Sequence, residues 1–266
     1  MHGLSERPLL LPPQGGAADR QEPGGRFPVD AVKTRVSAER IRERIAVVRE
    51  KVAEALRRSG RGPEETRILV ASKYYGSEQI AVLAGAGINL LGENRSEDLI
   101  RKQEAFGDAF EWHFIGHLQR RKARDVVGRV SLIHSVDSAR LIEELDRRAP
   151  QDGLDVLIQV NVSGEESKYG VLENELEDLL RVAANTRGKV RVRGFMTIAP
   201  LVEDPEDVRY VFSKLRTIRD RLKADWAPHF DLSELSMGMS GDYVVAVEEG
   251  ATLVRIGRII IEEDGP

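Results

Sequence analysis

From Arg67 to Ile256 the chain alternates short, branched apolar runs with longer segments of helical period, and few architectures accommodate that order. The strand candidates are residues 67–71, 88–91, 112–115, 132–134, 156–162, 192–196, 234–237 and 253–256. The helical stretches between them include 77–86, 93–103, 138–148, 173–185 and 206–223. Eight strands in alternation with helices predict a parallel sheet closed on itself, an α/β fold of the single (β/α)8 TIM-barrel type. A doubly wound open sheet is the alternative. It is weaker because no Gly-rich dinucleotide turn follows the first strand. A length of 266 residues suits one such domain.

Ahead of the first strand, Ser37 is followed by Ile41, Ile45, Val48, Val52 and Leu56 at helical spacing, which predicts a long amphipathic helix entered from a serine N-cap. Residues 1–36 mix Pro, Gly, Gln and charge without any period, as in Pro12-Pro13-Gln14-Gly15-Gly16. Such a composition cannot bury enough apolar surface to offset its ordering entropy. The expected organisation is a disordered extension over 1–36 and one barrel domain over 37–266.

A formal charge of −4 offers no basic excess for tracking nucleic-acid phosphates. Cysteine is absent, which removes disulfides, thiolate nucleophiles and cysteine-ligated metals. No apolar run approaches the roughly 20 residues that span a bilayer, and Leu9-Leu10-Leu11 stops at once at Pro12. A cytoplasmic protein that binds neither nucleic acid nor membrane is expected.

Chemistry in such barrels sits at the C-terminal ends of the strands. Here those ends are polar: Ser72-Lys73, Gly92-Glu93-Asn94, Gly116-His117, His134-Ser135-Val136-Asp137, Asn161 with Ser163, Met196-Thr197, Met237-Gly238-Met239-Ser240-Gly241-Asp242, and Arg255-Ile256-Gly257. Asn94 and Asp137 also read as ordinary helix caps. Lys73 directly follows a branched strand, so its ammonium is expected over the barrel top, where desolvation would make it nucleophilic; a solvent-facing lysine is the bland alternative. Barrel phosphate sites are commonly built after the seventh and eighth strands. Gly238, Ser240 and Gly241 stand after the seventh and Gly257 after the eighth, with Ser240 suited both to cap the next helix and to donate to a phosphate. Closure would bring Arg255 and this cup beside Lys73. A lysine, an arginine and a phosphate cup describe a site for a phosphorylated aldehyde. His113, His117 and His134 do not make a convincing metal set and are expected to be polar mouth residues or satisfied core groups.

Several of these residues carry a resemblance. Val70-Ala71-Ser72-Lys73, Gly92-Glu93-Asn94, Trp112-His113-Phe114-Ile115-Gly116-His117, Ser167-Lys168-Tyr169-Gly170, Leu235-Ser236-Met237-Gly238-Met239-Ser240 and Val254-Arg255-Ile256-Gly257 stand in order along the chain. The sequence from about Ser37 to Ile259 resembles the YggS/PROSC group of pyridoxal phosphate homeostasis proteins, relatives of the barrel domain of alanine racemase. The resemblance implies that Lys73 holds pyridoxal 5'-phosphate (PLP) as a Schiff base, that Asn94 and Met239 line its ring, that Ser240 and Gly257 hold its phosphate, and that Arg255 faces its pyridine nitrogen. It further implies a regulator of the vitamin B6 pool without catalytic activity, with PLP-dependent apoenzymes as candidate partners and a monomeric state. Arg258 stands where many members carry a small hydroxyl residue and could supply charge to the phosphate instead. Lys168 reads as a solvated loop lysine, with a secondary PLP acceptor as the alternative.

Two enzymatic alternatives stay open on sequence. A racemase needs a second acid/base opposite the lysine, and the nine residues after Gly257 leave no room for a further domain to bring one. A cofactor-free Schiff-base lyase would use the same lysine and phosphate cup.

Overall fold

The computed structural model describes residues 36–165 and 168–261, which lie in one compact unit. The expectation of a disordered extension over 1–36 falls almost entirely outside the described residues, as does Ser167. The strands are β1 (Arg67–Ala71), β2 (Leu90–Glu93), β3 (Glu111–Phe114), β4 (Leu132–Val136), β5 (Leu154–Gln159), β6 (Val190–Met196), β7 (Glu234–Met239) and β8 (Leu253–Ile256). Each pairs in parallel with the next and β8 pairs with β1, so the sheet closes into the predicted barrel.

Helix α1 (Ala38–Arg58) forms as its spacing predicts, and the Ser37 hydroxyl accepts the Arg40 amide at 3.2 Å as N-cap. Its apolar stripe from Ile41 to Leu56 is buried. The outer layer continues through α2 (Ser77–Gly85), α3 (Ser96–Phe106), α4 (Ala123–Val126), α5 (Ala139–Arg148), α6 (Leu176–Ala184), α7 (Arg209–Trp226), α8 (Tyr243–Glu248) and α9 (Arg258–Ile261). Helix α1 packs against α2, α8 and α9.

Several boundaries differ from the sequence expectation. Strand β2 runs two residues further, to Glu93, because that carboxylate is paired behind the strand instead of ending it. Strand β5 stops at Gln159, while Val160 and Val162 stay buried beyond it. Helix α7 starts three residues late, because Pro205–Val208 forms a tighter 3-10 turn. The short α4 and α8 are not among the helical stretches named from period, because neither is long enough to display one.

Two apolar layers result. One lies between strands and helices; the other, including Leu69, Ala71, Leu90, Ile115, Leu157 and Met196, fills the barrel interior. The interior side alternates with the pleat, so Leu69 and Ala71 on β1 point inward with Leu253 on β8.

Candidate functional site

Strand register brings the expected residues to one end of the barrel. Leu69 pairs with Arg255 and Val70 with Ile256 across β1 and β8, while Ala71 pairs with Gly92 across β1 and β2. Continued past the strand ends, the same register sets Asn94 level with Lys73, and Gly257 level with Ala71, one pleat before Lys73, so the three residues emerge at one corner of the barrel. Met239 pairs with Arg255, which brings the β7 end to the same corner.

Lys73 sits in a 3-10 turn, Ser72–Tyr74, and is exposed, with Nζ 4.8 Å from the centre of the Tyr74 ring. The expected enclosure of its ammonium is therefore not found: the side chain is carried on a turn beyond the strand end and stands exposed. What is buried is the support of the turn. Lys102 Nζ donates to the Ser72 carbonyl at 2.6 Å and to Glu93 Oε1 at 2.5 Å, and the Ser72 hydroxyl donates to the same carboxylate oxygen. On the other side the Tyr75 hydroxyl donates to the Gly257 carbonyl at 3.0 Å, and burial pushes its phenol above the ordinary range. Sequence reasoning missed Lys102, Glu93 and Tyr75 as supports. A lysine within a helical period carries no mark of being buried.

On the adjoining strands, Ser240 Oγ accepts the Gly257 amide at 3.3 Å, joining the loops after β7 and β8. Ser240 does not cap α8 as expected. Asp242 holds the N-cap position, and its carboxylate accepts the Met239 amide at 2.6 Å. Burial raises the pKa of Asp242 against the opposing effects of that amide and of Arg255. Gly238 belongs to packing more than to anion approach: it has φ +91°, and a Cβ there would lie 2.6 Å from the Ala246 Cβ. At Gly257 a Cβ would come within 3.3 Å of the Ala71 carbonyl oxygen, so a side chain would crowd the seam between β8 and β1.

Arg255 is 5% exposed, donating from Nη1 to Ser236 Oγ at 2.7 Å and from Nη2 to the Thr197 carbonyl at 2.8 Å. Burial lowers its pKa to about 10, partly offset by Asp242, and it stays cationic at neutral pH. Behind it, His134 Nδ1 lies 2.9 Å from Ser236 Oγ, His134 Nε2 lies 2.9 Å from His113 Nδ1, and His113 Nε2 lies 2.9 Å from Glu111 Oε1. His113 and His134 are thus satisfied core groups. His117 is a mouth residue: its Nδ1 is 3.3 Å from Asp137 Oδ2, and its ring stacks on Tyr169 at 4.1 Å. Asp137 therefore pairs across the rim, and Ser138 holds the N-cap position of α5. Asn94 is half-buried with Oδ1 shielded and without a hydrogen-bond partner, and it does not cap α3, whose N-cap residue is Arg95. Lys168 is half-buried and Arg258 exposed.

The family model of the alanine racemase N-terminal domain matches residues 37–262. A pyridoxal phosphate homeostasis protein of Aquifex aeolicus is 44% identical over 224 residues, covering 83% of this chain and 97% of the relative. The corresponding protein of Escherichia coli K12 is 38% identical over 229 residues, covering 83% of this chain and 95% of its own. Among solved structures, PipY of Synechococcus elongatus, crystallised with PLP bound, superposes with a TM-score of 0.71 at 33% identity, covering 84% of this chain and all of that one. The chain belongs to the alanine racemase N-terminal domain family and, within it, to the pyridoxal phosphate homeostasis proteins.

Proposed function

We propose that the chain binds PLP at the C-terminal mouth of the barrel, attached through Lys73, and serves intracellular PLP homeostasis rather than catalysis. The carrying observation is the corner formed by β8, β1 and β2, where Lys73, Arg255, Gly257 and Asn94 converge from paired strands. When bound, PLP supplies an aldehyde that a lysine amine captures reversibly. The residues present fit it: the shielded Asn94 Oδ1 lacks a donor, and the Gly257 amide and Ser240 hydroxyl lie 3.3 Å apart, close enough for both to donate to one phosphate in place of each other.

In this reading Ser240 and Gly257 hold the phosphate, Asn94 and Met239 line the ring, and Arg255 faces the ring nitrogen. A cationic guanidinium there disfavours protonation of that nitrogen and so weakens the ring as an electron sink. That favours holding over turning over, with PLP-dependent apoenzymes as the recipients and a monomer as the working form. The racemase and the cofactor-free lyase make different predictions for the same preparation.

The test is the visible spectrum of purified protein given PLP, followed by borohydride reduction and peptide mapping. Lys73→Ala is expected to abolish the band with far-UV circular dichroism unchanged, and the reduced label is expected on Lys73. A label on Lys168 alone, or a protein that takes up no PLP, would overturn the assignment.

A further inference from the structure

We infer that Glu111, at the N-terminal end of the barrel, is a positioning residue for Arg255 and acts through a one-directional hydrogen-bond chain of His113, His134 and Ser236 inside the barrel. Only the link from Arg255 to the ligand rests on the proposed PLP site; the chain itself stands on the protein's own atoms.

The two ends leave one consistent assignment of protons. Arginine can only donate, so the 2.7 Å contact makes Ser236 Oγ an acceptor from Nη1. An ionised carboxylate can only accept, so the 2.9 Å contact at Glu111 requires a proton on His113 Nε2. The hydrogen bond from His113, joined by one from the Ser131 hydroxyl at 2.8 Å, holds Glu111 ionised with a pKa of about 2. A neutral His113 then has a bare Nδ1, which must accept from His134 Nε2. That leaves His134 Nδ1 bare to accept the Ser236 hydroxyl proton. Every donor in the chain points from Arg255 toward Glu111, and every polar atom is satisfied.

The alternatives fail on counting. Only one proton fits between imidazole nitrogens 2.9 Å apart, so the two rings cannot both be cations. Burial also disfavours the charged form of each, and Arg67 and Arg255 add to that at His134. Glu234, which pairs with Arg67 at 3.0 Å, is the other charge near His113 at this end, and Asp242 is the one near Arg255. Reversing the chain would make Ser236 Oγ accept from both His134 Nδ1–H and Arg255 Nη1–H and leave its own proton without a partner. Removing the Glu111 acceptor frees His113, and through it His134, to take the reversed state. Ser236 would then be shared between two donors with its own proton unpartnered, which weakens its hold on the guanidinium and leaves the Thr197 carbonyl as the undivided acceptor.

The experiment uses the full chain, without ligand, labelled with 15N at histidine and arginine. Both buried histidines are expected as neutral Nε2–H tautomers at neutral pH, and the Arg255 guanidinium as a slowly rotating group with resolved Nη signals. Glu111→Leu should give mixed tautomers and faster guanidinium rotation, and Glu111→Gln, whose amide oxygen still accepts, should restore both. Ser236→Ala should leave the tautomers intact yet speed the rotation, and should weaken PLP binding about tenfold or more, since the hydrogen bond removed is one from the charged guanidinium. A Nδ1–H or cationic form of either histidine in the wild type overturns the chain. Unchanged Arg255 rotation in both Glu111→Leu and Ser236→Ala overturns the positioning role, whatever the protein does with PLP. Should Glu111→Leu fail to fold, Glu111→Ala, which removes the same acceptor without adding an apolar side chain at this exposed position, takes its place with the same expected and overturning outcomes.

Discussion

The Lys73 ammonium lies in solvent, so its reach into the mouth is set by the turn that carries it and not by enclosure of its side chain. Ser72 is tied to Glu93 and Lys102 on one side, and Tyr75 to Gly257 on the other. The same Gly257 presents its amide to Ser240, so the turn that carries Lys73 and the proposed phosphate cup are joined through the Gly257 backbone. Ser240→Ala should weaken PLP retention by about 1–3 kcal/mol, read from the dissociation rate, without shifting the absorption maximum of the fraction that stays bound. A shifted maximum would place Ser240 against the ring instead of the phosphate.

Between elements, the Lys102–Glu93 pair joins α3 to β2 in the layer behind the barrel wall. Both side chains are buried, and Glu93 Oε2 has no partner, so the pair has little hydrogen bonding in reserve. Removing one partner strands a buried charge. Lys102→Met is expected to destabilise the fold by about 3–5 kcal/mol, while the double variant Lys102→Met/Glu93→Leu should recover most of the loss. Urea unfolding of the three proteins tests this, and an undiminished loss in the double variant would assign the effect to packing. On α1, Ile45→Ala should cost about 2–5 kcal/mol because the side chain is buried in the outer layer. Its half-exposed neighbour Val47 should tolerate the same change with little effect.

For the whole molecule, the buried histidines make stability fall in mild acid. Desolvation lowers the pKa of both His113 and His134. In the unfolded chain they take protons near pH 6.5, so below that value the unfolded state binds more protons than the native one. Their contribution is full above about pH 7 and is lost as pH drops from about 6.5 toward the native pKa values. For His134 alone the loss between pH 7.5 and 5.5 is at most about 1.4 kcal/mol, the limit for a native imidazole that stays neutral throughout. Glu111 is outside this window: its depressed pKa of about 2 costs stability only between about 4.5 and 2. Asp137 and Asp242, raised by burial, act in the opposite sense. Comparing urea midpoints of wild type and His134→Asn at both pH values isolates the histidine. Equal pH slopes would show that His134 takes up its proton in the native state as readily as in the unfolded chain.

The barrel was legible because its periodicity is local: branched runs of four to seven residues and the stripe from Ile41 to Leu56 repeat within a few turns of chain. Lys73, Asn94, Met239, Ser240, Arg255 and Gly257 could be named from strand-end position and from resemblance, since a closed barrel carries every strand end to one face. Their individual tasks were not legible. Whether Ser240 caps a helix or bridges to Gly257, and whether Gly238 serves an anion or the Ala246 contact, depends on loop geometry that short sequence windows do not encode. The same limit applies to His113 and His134. Nothing in the strands that carry them predicts a chain to Ser236 and Arg255, because those partners lie on β7 and β8, about a hundred residues or more along the chain, and meet only when the sheet closes. The local pattern of side chains determined that a closed parallel barrel forms and which polar residues face its mouth; the long-range pairing of β1 with β8 decided which of them touch, because hydrogen bonds and charges act over a few ångströms of space regardless of their distance in sequence.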